Sequence, residues 1–273
     1  MLLAKIISLP ISVILFVWMR RIKKADPFPK GSLAQMLIAG ALCPFAATIL
    51  TVLLGLLSVL IRIGPADLSM LLTEPTSEVS QGIAARIEAI SENPTLFSVF
   101  FSTFVLTAVI EEGLKYLAMR LCLRRAGVMK TPMDALVCAA IVGLSFQVVE
   151  DLVYASEGVG TAILRAFTPM HFAFGAIMGF YYGSSAATGR KGDRIRALLI
   201  PILIHGLYDF GIKSLSIDDR YILLTGIDLI LMLALTVYII LKIHRWSRDG
   251  TLSSPISGPQ EDPPSASDPG SLR

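Results

Sequence analysis

Apolar residues run along this chain in stretches too long for the interior of a water-soluble domain, separated by short polar connections that carry most of its charge. A helix needs about 20 apolar residues to cross about 30 Å of hydrocarbon. Seven stretches reach that scale, at 2–19, 33–61, 96–119, 133–155, 163–187, 197–214 and 221–242. The pattern predicts an all-α fold, a polytopic membrane helical bundle of about seven transmembrane helices. In the longest connection, 62–95, Val79, Ile83, Ile87 and Ile90 share one helical face while Glu78, Arg86 and Glu88 lie elsewhere. This reads as a short helix on the outer membrane surface, serving as a packed connection or covering an opening, and ended by Asn93 and Pro94. From about residue 248 the chain turns polar and carries Pro255, Pro259, Pro263, Pro264 and Pro269. Such a segment buries too little apolar surface to order itself. The expected organisation is a transmembrane domain over 1–247 and a disordered cytoplasmic tail over 248–273.

Composition agrees with a membrane protein: 54% of residues are hydrophobic and only 16% charged, where soluble domains carry about a quarter charged. Lys and Arg mark the cytoplasmic connections of membrane proteins. Here sixteen of them follow spans one, three, five and seven, including Arg20, Arg21, Lys23, Lys24, Arg120, Arg190 and Arg245, against five on the other face. The layout is therefore N-outside and C-cytoplasmic. The net charge of +3 reflects this topology and points to no nucleic-acid partner. The first apolar stretch has its positive charges after it and no small-residue cleavage pattern, so it is expected to be a retained helix rather than a signal peptide. Cys43, Cys122 and Cys138 have no motif spacing and read as small buried apolar residues.

The informative departures are ionisable residues inside the apolar stretches. An unpaired Asp, Lys or Arg at a helix centre costs about 2.5 to 3.5 kcal/mol on insertion scales, so such groups gather around a shared polar cavity. In span three, EEGLK places Glu111 and Lys115 four residues apart on one face, with Glu112 about 100 degrees away. Glu111 is thus expected beside the ammonium, with Glu112 in a different electrostatic state. In span four, FQVVED puts Phe146 and Glu150 on one face, with Asp151 beside it. In span five, His171, Gly175, Gly179 and Gly183 form a stripe that allows close helix approach. In span six, His205 and Asp209 share a face, and an Asp accepting from one ring nitrogen would leave the other for catalysis or metal binding.

EEGLK, FQVVED, the His-led glycine stripe and HGLYDF, in this order on successive spans, resemble the PrsW family of intramembrane proteases, closely over about 96–215. The more distant CAAX prenyl protease and Abi group has a similar design. The resemblance implies cleavage of membrane-anchored proteins in a bacterial cytoplasmic membrane, with Glu111, Glu112, Glu150, His171 and His205 on the family's motif positions. Asp151 departs from it, since many members have Asn there.

Peptide hydrolysis needs an activated water, a donor for the oxyanion and an acid for the leaving amine. Glu111, Glu112, Lys115, Glu150, His171, His205 and Asp209 are the candidate catalytic residues. Glu111 or Glu112 would deprotonate water, His205 would serve as donor or acid, and Lys115 would set the carboxylate states. One version is glutamic-type and needs no cofactor. Another holds a divalent metal such as zinc on a set drawn from His171, His205, Glu112 and Glu150, although no HExxH helix is present. An aspartyl version would use Asp209 and Asp228. A proton- or ion-coupled transporter would use the same buried groups. Counted from the basic flanks, Glu150 and His171 lie farther out than Glu111 and His205, so they are expected to shape the outer part of the cavity.

Overall fold

The structure is a computed structural model that describes residues 2–73, 81–82, 95–125, 127–154 and 159–256. The described residues form helices and no strand: α1 (Leu2–Ile22), α2 (Ser32–Thr73), α3 (Leu96–Leu123), α4 (Pro132–Tyr154), α5 (Val159–Phe167), α6 (Met170–Thr188), α7 (Lys191–Lys213) and α8 (Ile222–Asp249). Five of them, α2, α3, α4, α7 and α8, are long and apolar enough to cross a membrane. The protein is an integral membrane protein. The residues of the expected surface helix, from Glu78 to Ile90, and its terminators Asn93 and Pro94 lie outside the described residues, while α2 continues past the expected end at 61.

α4 is the centre. Every residue from Pro132 to Gln147 is buried, as befits a helix that is apolar on all sides. It packs most closely against α6, where the stripe at Gly175, Gly179 and Gly183 lies on α4 backbone: a Cβ on Gly179 would overlap the Ala135 carbonyl oxygen. The contact is reciprocated by Gly143 of α4, whose missing Cβ leaves room for the carbonyl oxygen of His171. Backbone-to-backbone contact of this kind fixes the depth of His171 against α4 to within a fraction of a turn. Outward-facing residues of α2 and α8, such as Leu53, Leu56, Leu223 and Ile230, remain exposed to the lipid side.

The expected fifth span is broken in two. Pro169 offers no backbone N–H and disfavours helical geometry at Thr168, so α5 ends at Phe167 and α6 starts at Met170. This puts His171 in the first turn of α6 and sets Arg165 on a separate helix.

At the basic end of the bundle, Lys130 and Lys23 hydrogen-bond Asp26 at 2.7 and 3.0 Å and hold its carboxyl below the usual range. The first residues of the stretch expected to be a tail are ordered against this end. Gly250 turns the chain with φ 70°, Leu252 is buried, its carbonyl accepts from Met133 N–H at 3.0 Å, and Ile256 N–H donates to Lys130 at 2.8 Å. Cys43, Cys122 and Cys138 are free and buried.

Candidate active site

α3 changes character along its length: Phe101–Ala108 is π-helical and Val109–Leu123 is α-helical. Wider turns of this kind cluster at functional sites. The pair Glu111 and Glu112 follows directly, and Lys115 lies one turn on.

Lys115 is 1% exposed, so its ammonium has to be compensated within the protein. Its Nζ donates to Glu112 Oε1 at 2.7 Å, contacts His171 Nδ1 at 2.7 Å and lies 3.7 Å over the Phe146 ring. Glu111 Oε2 is farther, at 3.6 Å. The helical repeat alone pairs Lys115 with Glu111, but Glu112 and the imidazole from α6 are nearer. His205 Nδ1 is 2.9 Å from the same Glu112 oxygen. The carboxylate that accepts from His205 is therefore Glu112 of α3, not Asp209, whose Oδ2 is 3.7 Å from Nε2 and outside hydrogen-bond range. With Nδ1 donating to Glu112, His205 Nε2 lies between Asp209 Oδ2 at 3.7 Å and Glu111 Oε2 at 3.9 Å.

His171 is held at both nitrogens. An ammonium can only donate, so Nδ1 accepts from Lys115 and Nε2–H donates to Glu150 Oε2 at 2.7 Å. Glu150 in turn accepts from Arg165 Nη2 at 2.6 Å, while Arg165 Nε donates to Asp151 Oδ1 at 2.8 Å. Gln147 closes the shell: its amide nitrogen donates to Asp151 Oδ1 at 2.7 Å and its oxygen accepts His171 N–H at 3.1 Å. The two imidazoles stand edge to face with centroids 5.2 Å apart, His205 stacked on Phe174. Acids and imidazoles from α3, α4, α6 and α7 thus meet in one buried cluster.

Three outcomes differ from the sequence expectation. Glu150 and His171 are not an outer ring: His171 touches Lys115 directly and Glu150 joins it through His171, because α3 continues to Leu123, deeper than counted, and Gly143 sets His171 against α4. Asp228, offered beside Asp209 in the aspartyl version, lies against Gly211 with Oδ2 buried and without a hydrogen bond to Asp209 or any other partner. Arg165 and Gln147 were not among the expected site residues. The signal for Gln147 was present in FQVVED, where it precedes Asp151 by one helical turn, whereas Arg165 read only as an outer-face charge.

The family described as PrsW family intramembrane metalloprotease matches residues 29–241, well over half of the chain and all of these side chains. The chain belongs to the PrsW family. Among curated PrsW relatives, the chain is similar to proteins named Protease PrsW from Oceanobacillus iheyensis (32% identity over 133 residues, 47% of this chain and 62% of the relative), Bacillus subtilis (33% over 124 residues, 43% and 56%) and Geobacillus kaustophilus (34% over 112 residues, 39% and 50%). The chain thus spans between half and about six-tenths of the length of these three relatives. No solved structure matches it.

The PrsW description names a metal, and the donor set here fits one. Glu111, His171 and His205 each offer a ligand atom, all within 4.8 Å of one another. Two imidazoles and one carboxylate form a known catalytic zinc set. Glu111 Oε2 and Glu112 Oε2 are buried without hydrogen-bond partners. Glu112 and Glu150, expected among the candidate ligands, instead accept from ring nitrogens, which is the role carboxylates play behind metal-bound histidines. The Lys115 ammonium is the competitor for His171 Nδ1.

Proposed function

We propose that this protein is an intramembrane protease that hydrolyses peptide bonds of membrane-anchored proteins, in a bacterial cytoplasmic membrane with its basic end toward the cytoplasm. The observation that carries the reading is the facing of Glu111 Oε2 and His205 Nε2 across 3.9 Å inside the bundle, too long for a direct hydrogen bond and short enough for one water to touch both. Glu112 is saturated at Oε1 by Lys115 and His205 and is 0% exposed, so it serves as an electrostatic anchor. Glu111, with a side chain 14% exposed and an unpartnered oxygen, is the general base.

In this scheme Glu111 takes a proton from water as the oxygen bonds to the peptide carbon. The carbonyl electrons move onto oxygen, and cationic donors of the cluster stabilise the resulting charge in a pocket where low dielectric strengthens them. Collapse breaks the C–N bond, and the proton held by Glu111 passes to the leaving amine. His205, fixed at Nδ1 by Glu112, presents Nε2 to the reacting atoms. His171 is locked by Glu150, Arg165 and Gln147 and maintains the position of Lys115. A divalent metal held by Glu111, His171 and His205 would supply Lewis acidity and a more acidic water, and Glu111 would then be its ligand in place of the free base.

The test compares membrane proteomes of cells carrying the active protein and its Glu111→Gln variant. Truncated single-span proteins present only with the active form are expected; identical proteomes, with both proteins expressed and folded, would overturn the reading.

A further inference from the structure

A cavity of about 440 Å³ opens at the basic end of the bundle, lined on α4 by Val137 and Ile141 and by none of the Glu and His cluster. Its volume lies within the roughly 300 to 1,000 Å³ of small-molecule sites. Its lining combines apolar Val17, Phe28, Leu33 and Val137 with the cations Arg20, Arg21 and Lys24. Lys23, nine-tenths buried, forms part of the wall and is fixed by Asp26 and Asp134. Asp26 is shared with Lys130. The two acids are thereby occupied, and Arg20, Arg21 and Lys24 have no ion-pair partner among the described residues.

We infer that this cavity binds an anionic phospholipid, with the phosphate on Arg20, Arg21 and Lys24 and the start of an acyl chain along Val17, Phe28 and Leu33. The occupant has to match two chemistries at once. Val17 is exposed on the outside of α1 one turn before Arg20, so the cavity opens where the apolar face of α1 ends and its basic residues begin. A phospholipid changes character over the same distance. Basic pockets between transmembrane helices bind acidic headgroups for this reason. An acidic peptide or a free phosphate would satisfy the cations and leave the apolar half wet.

The test titrates the purified full chain in nonionic detergent with dioctanoyl phosphatidylglycerol, and in parallel with dioctanoyl phosphatidylcholine, sn-glycerol 1-phosphate and an oligoglutamate peptide. Phosphatidylglycerol is expected to bind tightest. Arg20→Ala/Arg21→Ala/Lys24→Ala should weaken it about a hundredfold, because each cation near an anionic surface contributes about fivefold. Arg190→Ala/Lys191→Ala/Arg194→Ala, which removes three cations of another connection on the same face, should leave it unchanged. Leu33→Trp keeps every charge and fills the apolar half. It should cost about tenfold, the equivalent of two buried methylenes, and it keeps the inference testable where the triple variant fails to fold. Undiminished affinity in both cavity variants, equal loss in the control triple, or equal binding of glycerol phosphate or oligoglutamate would overturn it.

Discussion

Glu111 and Glu112 are adjacent in sequence and unlike in surroundings, and that difference is open to measurement. Glu112 accepts from two buried partners, Lys115 and His205, so Glu112→Gln removes the charge that compensates a fully buried ammonium. Breaking such a pair typically costs about 3 to 5 kcal/mol. Glu111 makes no bond shorter than the 3.6 Å contact to Lys115, so Glu111→Gln should change stability by less than about 1 kcal/mol, the usual scale of a weak or exposed ion pair. Glu111→Gln should lose cleavage by about a hundred- to ten-thousandfold, the usual contribution of one proton-transfer group, and Glu112→Gln should lose it by releasing Lys115 and His205 from their positions. Thermal unfolding in detergent beside a cleavage assay separates the roles: a large drop in unfolding temperature for Glu111→Gln and none for Glu112→Gln would reverse them. The sequence made the members of this cluster legible, since each acid, lysine and imidazole stood out against apolar neighbours. Their partners were hidden. Helical spacing suggested Glu111 with Lys115 and Asp209 with His205, whereas the shorter contacts are Glu112 with Lys115 on the same helix and, between helices, Glu112 with His205 and His171 with Glu150.

At the level of helices, the depth of the cluster is set by packing that a hydropathy profile does not contain. The glycine stripe on α6 was readable as a close-approach surface, but only the overlap with α4 backbone fixes the register. Gly179→Leu would drive a side chain into the Ala135 carbonyl, and overpacking in a close-packed core costs about 1 to 3 kcal/mol or more. It should lower the unfolding temperature and cleavage together, while Gly192→Leu, where a Cβ meets nothing within 4 Å, should change neither. The short helix α5 went unseen because a continuous apolar stretch spans the break at Pro169. It packs mainly on α1, and Arg165 ties it to α4 by bridging Glu150 and Asp151 and lying 4.5 Å over the Tyr154 ring. Arg165→Ala leaves two adjacent carboxylates without their cation and should reduce both stability and cleavage. Arg165→Lys should recover only part, because an ammonium cannot span two carboxylates as a guanidinium does. Full activity of Arg165→Ala would show that Glu150 holds His171 unaided.

For the whole molecule, the distribution of Lys and Arg and the positions of the buried groups lead to one test of orientation. The native cysteines are buried, so a maleimide reagent should meet little background, and single introduced cysteines can report each face. Ser216, in the connection between α7 and α8, is exposed at the end opposite the basic clusters. Gly192 is exposed at the basic end, at the start of α7, with open space around its Cβ position. The two sites flank a single helix, so they must lie on opposite sides of any membrane that α7 crosses. The excess of Lys and Arg at the Gly192 end predicts that this end is retained in the cytoplasm. In intact cells a membrane-impermeant maleimide should therefore label Ser216→Cys and leave Gly192→Cys unmodified until the membrane is permeabilised. The reverse pattern would invert the protein and place the proposed lipid cavity in the outer leaflet. Labelling of both sites in intact cells would mean that α7 does not span, and His205 would then no longer sit within the bilayer with Glu111 and Glu112, removing the basis for proteolysis inside the membrane.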